Sequence, residues 1–110
     1  SAHTIGADFN LFEAYEDRFG ALIKKRVRKG LKTQVLTYKS QKELAKLQTG
    51  VNVRYLPENF SKSPLVIDIF GDYVAQSIWG DPPVIVVTKD KRIAKSYKQY
   101  FNFLWKSSKK

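Results

Sequence analysis

Residues 65–80 constrain the fold most, because they contain two strand-forming runs joined by a tight turn. The first run ends at Phe70, Gly71 and Asp72 follow, and the second run begins at Tyr73. Both runs are rich in Val, Ile and aromatic residues, which favour extended backbone. A Gly-Asp pair between two such runs is typical of a β-hairpin, so the chain is expected to contain an antiparallel strand pair here.

Four more segments predict strands, at residues 3–7, 32–38, 51–56 and 84–87. The third of these alternates apolar and polar side chains, the pattern of a strand with one buried face. The last is continuously apolar, which favours a strand buried on both faces.

Two helices are predicted before the hairpin. Asn10 and Glu13 have capping-box spacing and open a long amphipathic helix that covers about residues 10–29. Ser40 and Glu43 repeat that spacing and predict a second, shorter helix.

A third helix is predicted at the end of the chain, where Asp90 is a candidate N-cap. Its apolar stripe consists of Ile93, Tyr97, Tyr100, Phe101 and Leu104. We expect these aromatic residues to serve as core or dimer contacts rather than as a stacking platform for nucleic-acid bases.

The resulting order is strand, helix, strand, helix, strand, hairpin, strand, helix. This alternation, followed by consecutive strands, predicts an α/β class with a mixed sheet and flanking helices. A length of 110 residues fits one domain over residues 1–110.

Composition narrows the possible functions. The chain has no Cys and one His, His3, which excludes disulfides, cysteine-ligated metals and histidine-rich metal centres. Asp68, Asp72, Asp81 and Asp90 are the candidate ligands for a hard metal ion. Turns at Asp72 and Asp81 and a helix cap at Asp90 explain these residues better, so no cofactor is expected.

The chain also has no Met and no apolar run of about 20 residues. We therefore expect a cytoplasmic domain taken from a longer protein, with Ser1, Ala2 and His3 as a cloning remnant. For His3 the alternative is an ordinary surface residue.

A formal net charge of +10 would attract polyanions. The candidate polyanion-contacting residues are Lys24, Lys25, Arg26, Arg28, Lys29 and Lys32. The alternative interpretation, which we favour, is that these cations complement the dipole at the end of a helix. A second cationic set surrounds the last helix and contains Lys89, Lys91, Arg92, Lys95 and Lys98.

Several segments in this order resemble a known family. They are residues 29–36 (KGLKTQVL), 50–57 (GVNVRYLP), the hairpin at 65–80, the strand at 83–87 and the helical segment at 93–106. Together they resemble the phospholipase D-like C-terminal domain of archaeal TrmB-type transcriptional regulators, over nearly the whole chain.

Phospholipase D-type enzymes carry a His-x-Lys pair with an Asp five residues later. This chain can be aligned with that motif in two ways, and neither supplies the pair. If Asp68 is the motif Asp, Ser61 and Ser63 occupy the His and Lys positions. If Asp72 is the motif Asp, Leu65 and Ile67 occupy them. His3 has Ile5 where the lysine would stand. An imidazole nucleophile and an oxyanion-stabilising Lys are both missing, so the resemblance implies a domain that is not an enzyme.

By this resemblance, the chain is expected to be a homodimeric regulatory domain that senses a small-molecule effector. DNA would be contacted indirectly, through an N-terminal winged-helix domain missing from this sequence. The alternative is a free-standing basic module that binds nucleic acid itself. A degenerate phosphodiesterase or nuclease is the third and weakest hypothesis.

Overall fold

The computed structural model describes residues 2–7, 32–46, 50–57, 64–78 and 82–110. Its six strands are β1 (Ala2–Ala7), β2 (Thr33–Thr37), β3 (Asn52–Tyr55), β4 (Leu65–Phe70), β5 (Tyr73–Ile78) and β6 (Val84–Lys89). Its helices are the short α1 (Lys42–Ala45), which follows a 3-10 turn at Lys39–Gln41, and the long α2 (Lys91–Ser107).

The six strands form one mixed sheet in the order β3-β2-β1-β4-β5-β6. The first three strands pair in parallel, whereas β4, β5 and β6 form an antiparallel meander joined to β1. Parallel neighbours require long crossover connections and antiparallel neighbours require only turns, which matches the spacing of the strands along the chain. The predicted α/β class is confirmed.

The predicted hairpin is confirmed. Phe70 pairs with Tyr73 across the turn, and Gly71 adopts a φ of 56°, in the left-handed region that glycine tolerates best. The Phe70 and Tyr73 rings stack on one face of the sheet with centroids 5.4 Å apart. Gly-Asp therefore makes the turn, and the aromatic pair fixes the strands on either side.

The central strand β1 contains an irregularity that the sequence analysis did not foresee. Its register with β2 shifts between Ile5 and Ala7, and Gly6 between them has a φ of 79°. A Cβ added at Gly6 would lie 3.1 Å from the carbonyl oxygen of Leu65. Glycine is thus required at this bulge by both backbone conformation and space.

Helix α2 crosses one face of the sheet and covers the main core. The Asp90 side chain accepts hydrogen bonds from the amides of Arg92 and Ile93, which confirms the predicted N-cap. The buried core beneath the helix consists of Ile5, Leu36, Leu56, Ile69, Val74, Ala94 and Phe101. A smaller cluster of Ala7, Val35 and Ala45 lies near α1.

Two local predictions are wrong and one lies outside the described residues. Ser40 does not cap α1, because it lies inside the 3-10 turn and Gln41 takes the N-cap position without a side-chain bond. The run at residues 84–87 is not buried, since all four side chains are exposed at the edge of the sheet. The predicted helix at residues 10–29 falls outside the described part of the chain.

Candidate functional site

Strand β6 is an open apolar edge of the sheet. It pairs with β5 on one side, and none of the other described strands lies on its second side. The four consecutive apolar residues Val84, Ile85, Val86 and Val87 are between 51% and 57% exposed. An unpaired strand of this kind offers free backbone groups next to apolar side chains, a combination that recruits another strand.

The backbone amide and carbonyl groups of β6 point alternately toward β5 and away from the sheet. The amide of Asp90 donates to the carbonyl of Asp72 at 3.0 Å, which fixes the phase of the antiparallel ladder. By the alternation of hydrogen-bonded pairs, residues 84, 86 and 88 exchange bonds with β5. The amide and carbonyl groups of Ile85, Val87 and Lys89 therefore point outward from the sheet.

The side chains of β6 divide between the two faces of the sheet. Val86 pairs with Gln76, and Gln76 donates a 2.8 Å hydrogen bond to the Tyr97 hydroxyl of α2. Val84 and Val86 thus lie on the face that α2 covers in part. Ile85 and Val87 lie on the opposite face, where Lys89 places its ammonium 5.5 Å from the centre of the Tyr73 ring.

One flank of α2 adds apolar surface near this edge. Lys98 lies on the flank that faces His3, since it lowers the pKa of that imidazole. At 100° per residue, Ile93 and Tyr100 fall on the other flank, toward the β6 corner of the sheet. Tyr100 is 68% exposed, and Phe103 beyond it is 70% exposed. These residues extend the apolar surface beyond the strand itself.

The opposite edge of the sheet, at β3, is covered. The amide of Tyr55 donates to the carbonyl of Lys109 at 2.6 Å, and the Lys109 amide returns a bond of 3.0 Å. This isolated antiparallel bridge places the segment after α2 along the outside of β3. The final turn is held by the Ser108 hydroxyl, which donates to the Leu104 carbonyl at 2.6 Å.

A cation–π contact strengthens that closure. The guanidinium of Arg54, on β3, lies 4.5 Å from the centre of the Trp105 ring of α2. Arg54 also donates through Nη1 to the Trp105 carbonyl at 2.8 Å. One side chain thus ties the end of α2 to the edge strand through both its charge and a hydrogen bond.

Of the six candidate polyanion-contacting residues, the described part of the chain contains one, Lys32. Lys24, Lys25, Arg26, Arg28 and Lys29 lie outside the described residues. Lys32 is exposed immediately before β2, and its carbonyl accepts from the Ala2 amide at 2.9 Å. The structure therefore brings Lys32 to the end of the sheet where β1 begins.

The second cationic set is largely confirmed as an exposed face of α2. Lys91, Lys95, Lys98 and Lys106 are exposed, and at 100° per residue they share one side of the helix. Arg92 instead forms a 2.9 Å ion pair with Asp90, and its hydrogen bonds hold the pKa of that carboxyl below its usual range. Arg92 and Lys89 were predicted members of this set and Lys106 was not, although helical periodicity extended along the whole helix predicts Lys106 as well.

His3 is buried, so the prediction that it is a surface residue is wrong. It lies in the central strand β1 with its ring edge-on to Phe101, at 4.8 Å between centroids. Burial and the nearby Lys98 charge lower its pKa, and a hydrogen bond with Gln34 opposes them. Its Nδ1 atom is buried and has no hydrogen-bond partner among the described residues.

Three of the positions aligned with phospholipase D-type catalytic residues, Leu65, Ile67 and Asp68, belong to strand β4. Asp68 accepts a hydrogen bond of 2.7 Å from the Thr4 hydroxyl across β1 and β4. Leu65 and Ile67 are strand residues of β4, and Ser61 and Ser63 lie outside the described part of the chain. Within the described segments, no three His, Cys, Asp or Glu side chains are grouped to hold a metal ion.

The open edge is the feature that sequence reasoning missed. Pro82 and Pro83 precede β6, and proline is confined to edge strands and strand starts because it cannot donate to a ladder. That signal was available, but the apolar run after it was interpreted as a buried strand.

Comparison with solved structures finds the fold in a known protein. The chain superposes on TrmBL2, described as an archaeal chromatin protein with a novel mode of DNA binding, with a TM-score of 0.65 and 20% sequence identity. The match covers 98% of this chain and 45% of TrmBL2. No family model and no curated protein sequence matches.

The fold is therefore shared with a part of TrmBL2, and the chain spans less than half the length of that protein. In the described part of the chain, no helix combines the length and apolar character needed to cross a membrane.

Proposed function

We propose that this chain is a non-catalytic regulatory and dimerisation domain of a transcriptional regulator of the TrmB type, with the phospholipase D-like fold of that family. The observation that carries the proposal is the contrast between a covered β3 edge and an exposed apolar β6 edge. A sheet of this form has one free position for a further strand. Its fold similarity to part of an archaeal chromatin protein that binds DNA supports a role in a DNA-associated assembly.

The surroundings of the candidate catalytic positions support a non-enzymatic role. A nucleophilic imidazole must reach a substrate, but His3 is buried against Phe101 in the centre of the sheet. Leu65 and Ile67 offer apolar side chains where an imidazole and an ammonium would be needed. The domain would act through assembly and through binding of a small-molecule effector, while a winged-helix domain of the whole protein contacts DNA.

The proposal is tested by measuring molecular mass and phosphodiester hydrolysis on the same sample. Sedimentation velocity of the 110-residue chain should show a dimer at micromolar concentration. Hydrolysis of bis-p-nitrophenyl phosphate should not exceed the buffer rate. A chain that remains monomeric to the highest soluble concentration, or phosphodiester cleavage that is lost in His3→Gln, would contradict the proposal.

A second candidate function is direct binding of nucleic acid, favoured by the cationic face of α2. Lys91, Lys95, Lys98 and Lys106 lie on one side of the helix, and none of them forms an ion pair with an acidic side chain of the described residues. Closely spaced cations of this kind neutralise backbone phosphates and release counterions.

Fluorescence anisotropy with a labelled DNA duplex distinguishes the two functions. Direct binding predicts an affinity that falls about tenfold or more between 50 and 200 mM salt, and that is lost in a Lys95→Gln, Lys98→Gln double variant. The control is a Lys42→Gln, Lys109→Gln double variant, which has the same net charge but lacks the change on α2. Equal affinities of the two variants would assign any binding to overall charge alone.

A further inference from the structure

We propose that the open edge binds a second copy of this chain through antiparallel pairing of β6 with β6, with Val86 of each copy opposite Val86 of the other. This inference rests on the dimeric form of the proposed function and specifies its contact. The product is a continuous twelve-stranded sheet with a twofold axis perpendicular to the sheet at Val86. Because that axis preserves the faces of the sheet, both copies of α2 lie on the same side.

The backbone fixes the register. The outward-pointing residues are Ile85, Val87 and Lys89, so a partner strand must pair these residues with its own outward-pointing residues. When Val86 meets Val86, Ile85 pairs with Val87 of the second copy, and Val87 pairs with its Ile85. Each of these two pairs exchanges two hydrogen bonds. Pro83 then meets Lys89 of the second copy and limits the ladder, because proline accepts but cannot donate.

The side chains are self-complementary in this register. Ile85, Val86 and Val87 of one copy meet the same three residues of the other, and all three are exposed in the single chain. Val84, which is also exposed, meets Thr88 of the other copy. Lys89 lies beside Pro83 of the second copy, so like charges are not opposed. A shift by two residues toward Val87 would instead place Lys89 opposite Ile85 and move an ammonium into the apolar contact.

A second copy fits better than pairing with the other edge of the same sheet. The β3 edge is held by the Tyr55–Lys109 bridge and by Arg54, so head-to-tail addition of β6 to β3 would have to break those bonds. A twofold β6 pair covers the exposed apolar edge and leaves the Tyr55–Lys109 bridge at β3 intact. The exposed flank of α2, with Ile93 and Tyr100, extends the contact toward the roughly 800 Å² per partner of a standard interface.

Charge reversal at the twofold position tests the pairing. Val86 is half-exposed, so Val86→Lys and Val86→Glu should both fold, which far-UV circular dichroism and urea unfolding verify. Each variant alone places two like charges in direct opposition and should weaken dimerisation at least about a hundredfold. An equimolar mixture of the two variants should recover a heterodimer in sedimentation velocity, because opposite charges then meet.

Cysteine cross-linking tests the register independently, since the chain has no Cys of its own. Directly opposite residues in a non-hydrogen-bonded pair have Cα atoms about 4.5 Å apart, within reach of a disulfide. Val86→Cys should therefore form a covalent dimer under mild oxidation. Thr88→Cys is the matched control, because Thr88 of the two copies would be about 14 Å apart, four residues along the strand.

The outcomes separate this inference from the proposed function. A wild-type dimer that Val86→Lys does not weaken would overturn the β6 pairing and leave the regulatory and dimeric function standing. A monomeric wild-type chain would overturn both. Cross-linking of Val86→Cys and Thr88→Cys alike would indicate parallel pairing, and loss of the dimer in Val86→Lys without recovery in the mixture would indicate another occupant. Either result overturns the proposal.

Discussion

The two edge strands of the sheet, β3 and β6, differ in how far other residues cover them. At β3, a bridge to Lys109 and the Arg54–Trp105 contact cover a strand of four residues. At β6, a strand of six residues presents four apolar side chains and outward backbone groups. Proteins usually protect edge strands with charge, proline or a covering segment. This chain covers the β3 edge at Tyr55 and Arg54, whereas the β6 edge has no such protection among the described residues apart from Pro83 and Lys89 at its ends.

The difference shows that apolar strand residues can serve two purposes, stability of the single chain and association with a partner. Apolar residues in β1 and β2 are buried and stabilise the single chain, whereas those in β6 contribute little to its core. Their free energy of burial becomes available only when something covers the edge. Stability and association are thus separated by position within one sheet, and the variants below should affect one and not the other.

Truncation of a buried and an edge side chain should give the largest contrast. Leu36→Ala, in the fully buried centre of β2, should lower the free energy of unfolding by about 3 kcal/mol because it leaves a cavity. Ile85→Ala should cost the monomer less than about 1 kcal/mol, because more than half of that side chain is already in water. Urea unfolding at submicromolar protein concentration measures both. Equal losses would show that β6 is part of the core.

Removal of Arg54 should open the closed edge. Arg54→Ala removes the contact with the Trp105 ring and the bond to its carbonyl, and should destabilise the chain by about 2 kcal/mol. Arg54→Lys should recover less than half of the loss, because an ammonium cannot stack and donate as a guanidinium does. Lys109→Gln is the control, since Lys109 acts through its backbone. If Lys109→Gln destabilised as much as Arg54→Ala, the closure would depend on charge.

Loss of the cap that follows β6 should have a smaller effect. Asp90→Ala removes the side chain that accepts from two amides of α2, and should cost about 1 kcal/mol. Asp90→Asn keeps the acceptor and should retain most of the stability, because its exposed ion pair with Arg92 contributes little. Thermal unfolding of the three proteins gives the comparison. A large loss in Asp90→Asn would assign the stabilisation to the ion pair instead.

Acidification should change the free energy of unfolding least. The group responsible is His3, which lies in the central strand β1 between the parallel and antiparallel parts of the sheet. Burial and Lys98 lower the pKa of His3, so the unfolded chain takes up a proton before the folded chain as pH falls. This contribution to stability is present above pH about 6.5 and is lost progressively as pH falls toward the lower folded pKa. Urea unfolding at pH 7.5 and 5.5 measures the loss, which should be absent in His3→Gln. A stability that rises on acidification would contradict the assignment.

Local signals in the sequence predicted the local structure. The turn at Gly71 and Asp72 and the cap at Asp90 depend on neighbouring residues only, and both predictions are confirmed. The six strands and their mixed arrangement also followed from residue patterns. Ser40 failed as a cap because a 3-10 turn displaced the start of α1 by one residue, so that Gln41 takes the N-cap position.

Non-local features could not be obtained in the same way. An apolar run such as residues 84–87 predicts a strand, but whether that strand has neighbours on two sides depends on pairing with distant segments. His3 was assigned to the surface from its place near the start of the chain, yet pairing with β2 and β4 on either side buries it. The cationic face of α2 was foreseen because helical spacing is local, whereas the contrast between the edges required the whole topology.

The bridge between Tyr55 and Lys109 has a consequence for the order in which the domain forms. Tyr55 is synthesised well before Lys109, so a nascent chain exposes the β3 edge until α2 and the segment after it have left the ribosome. During that interval both edges are open and the chain is most exposed to aggregation. We therefore expect the β3 edge to be covered late in synthesis, when α2 has docked and Lys109 can pair with Tyr55.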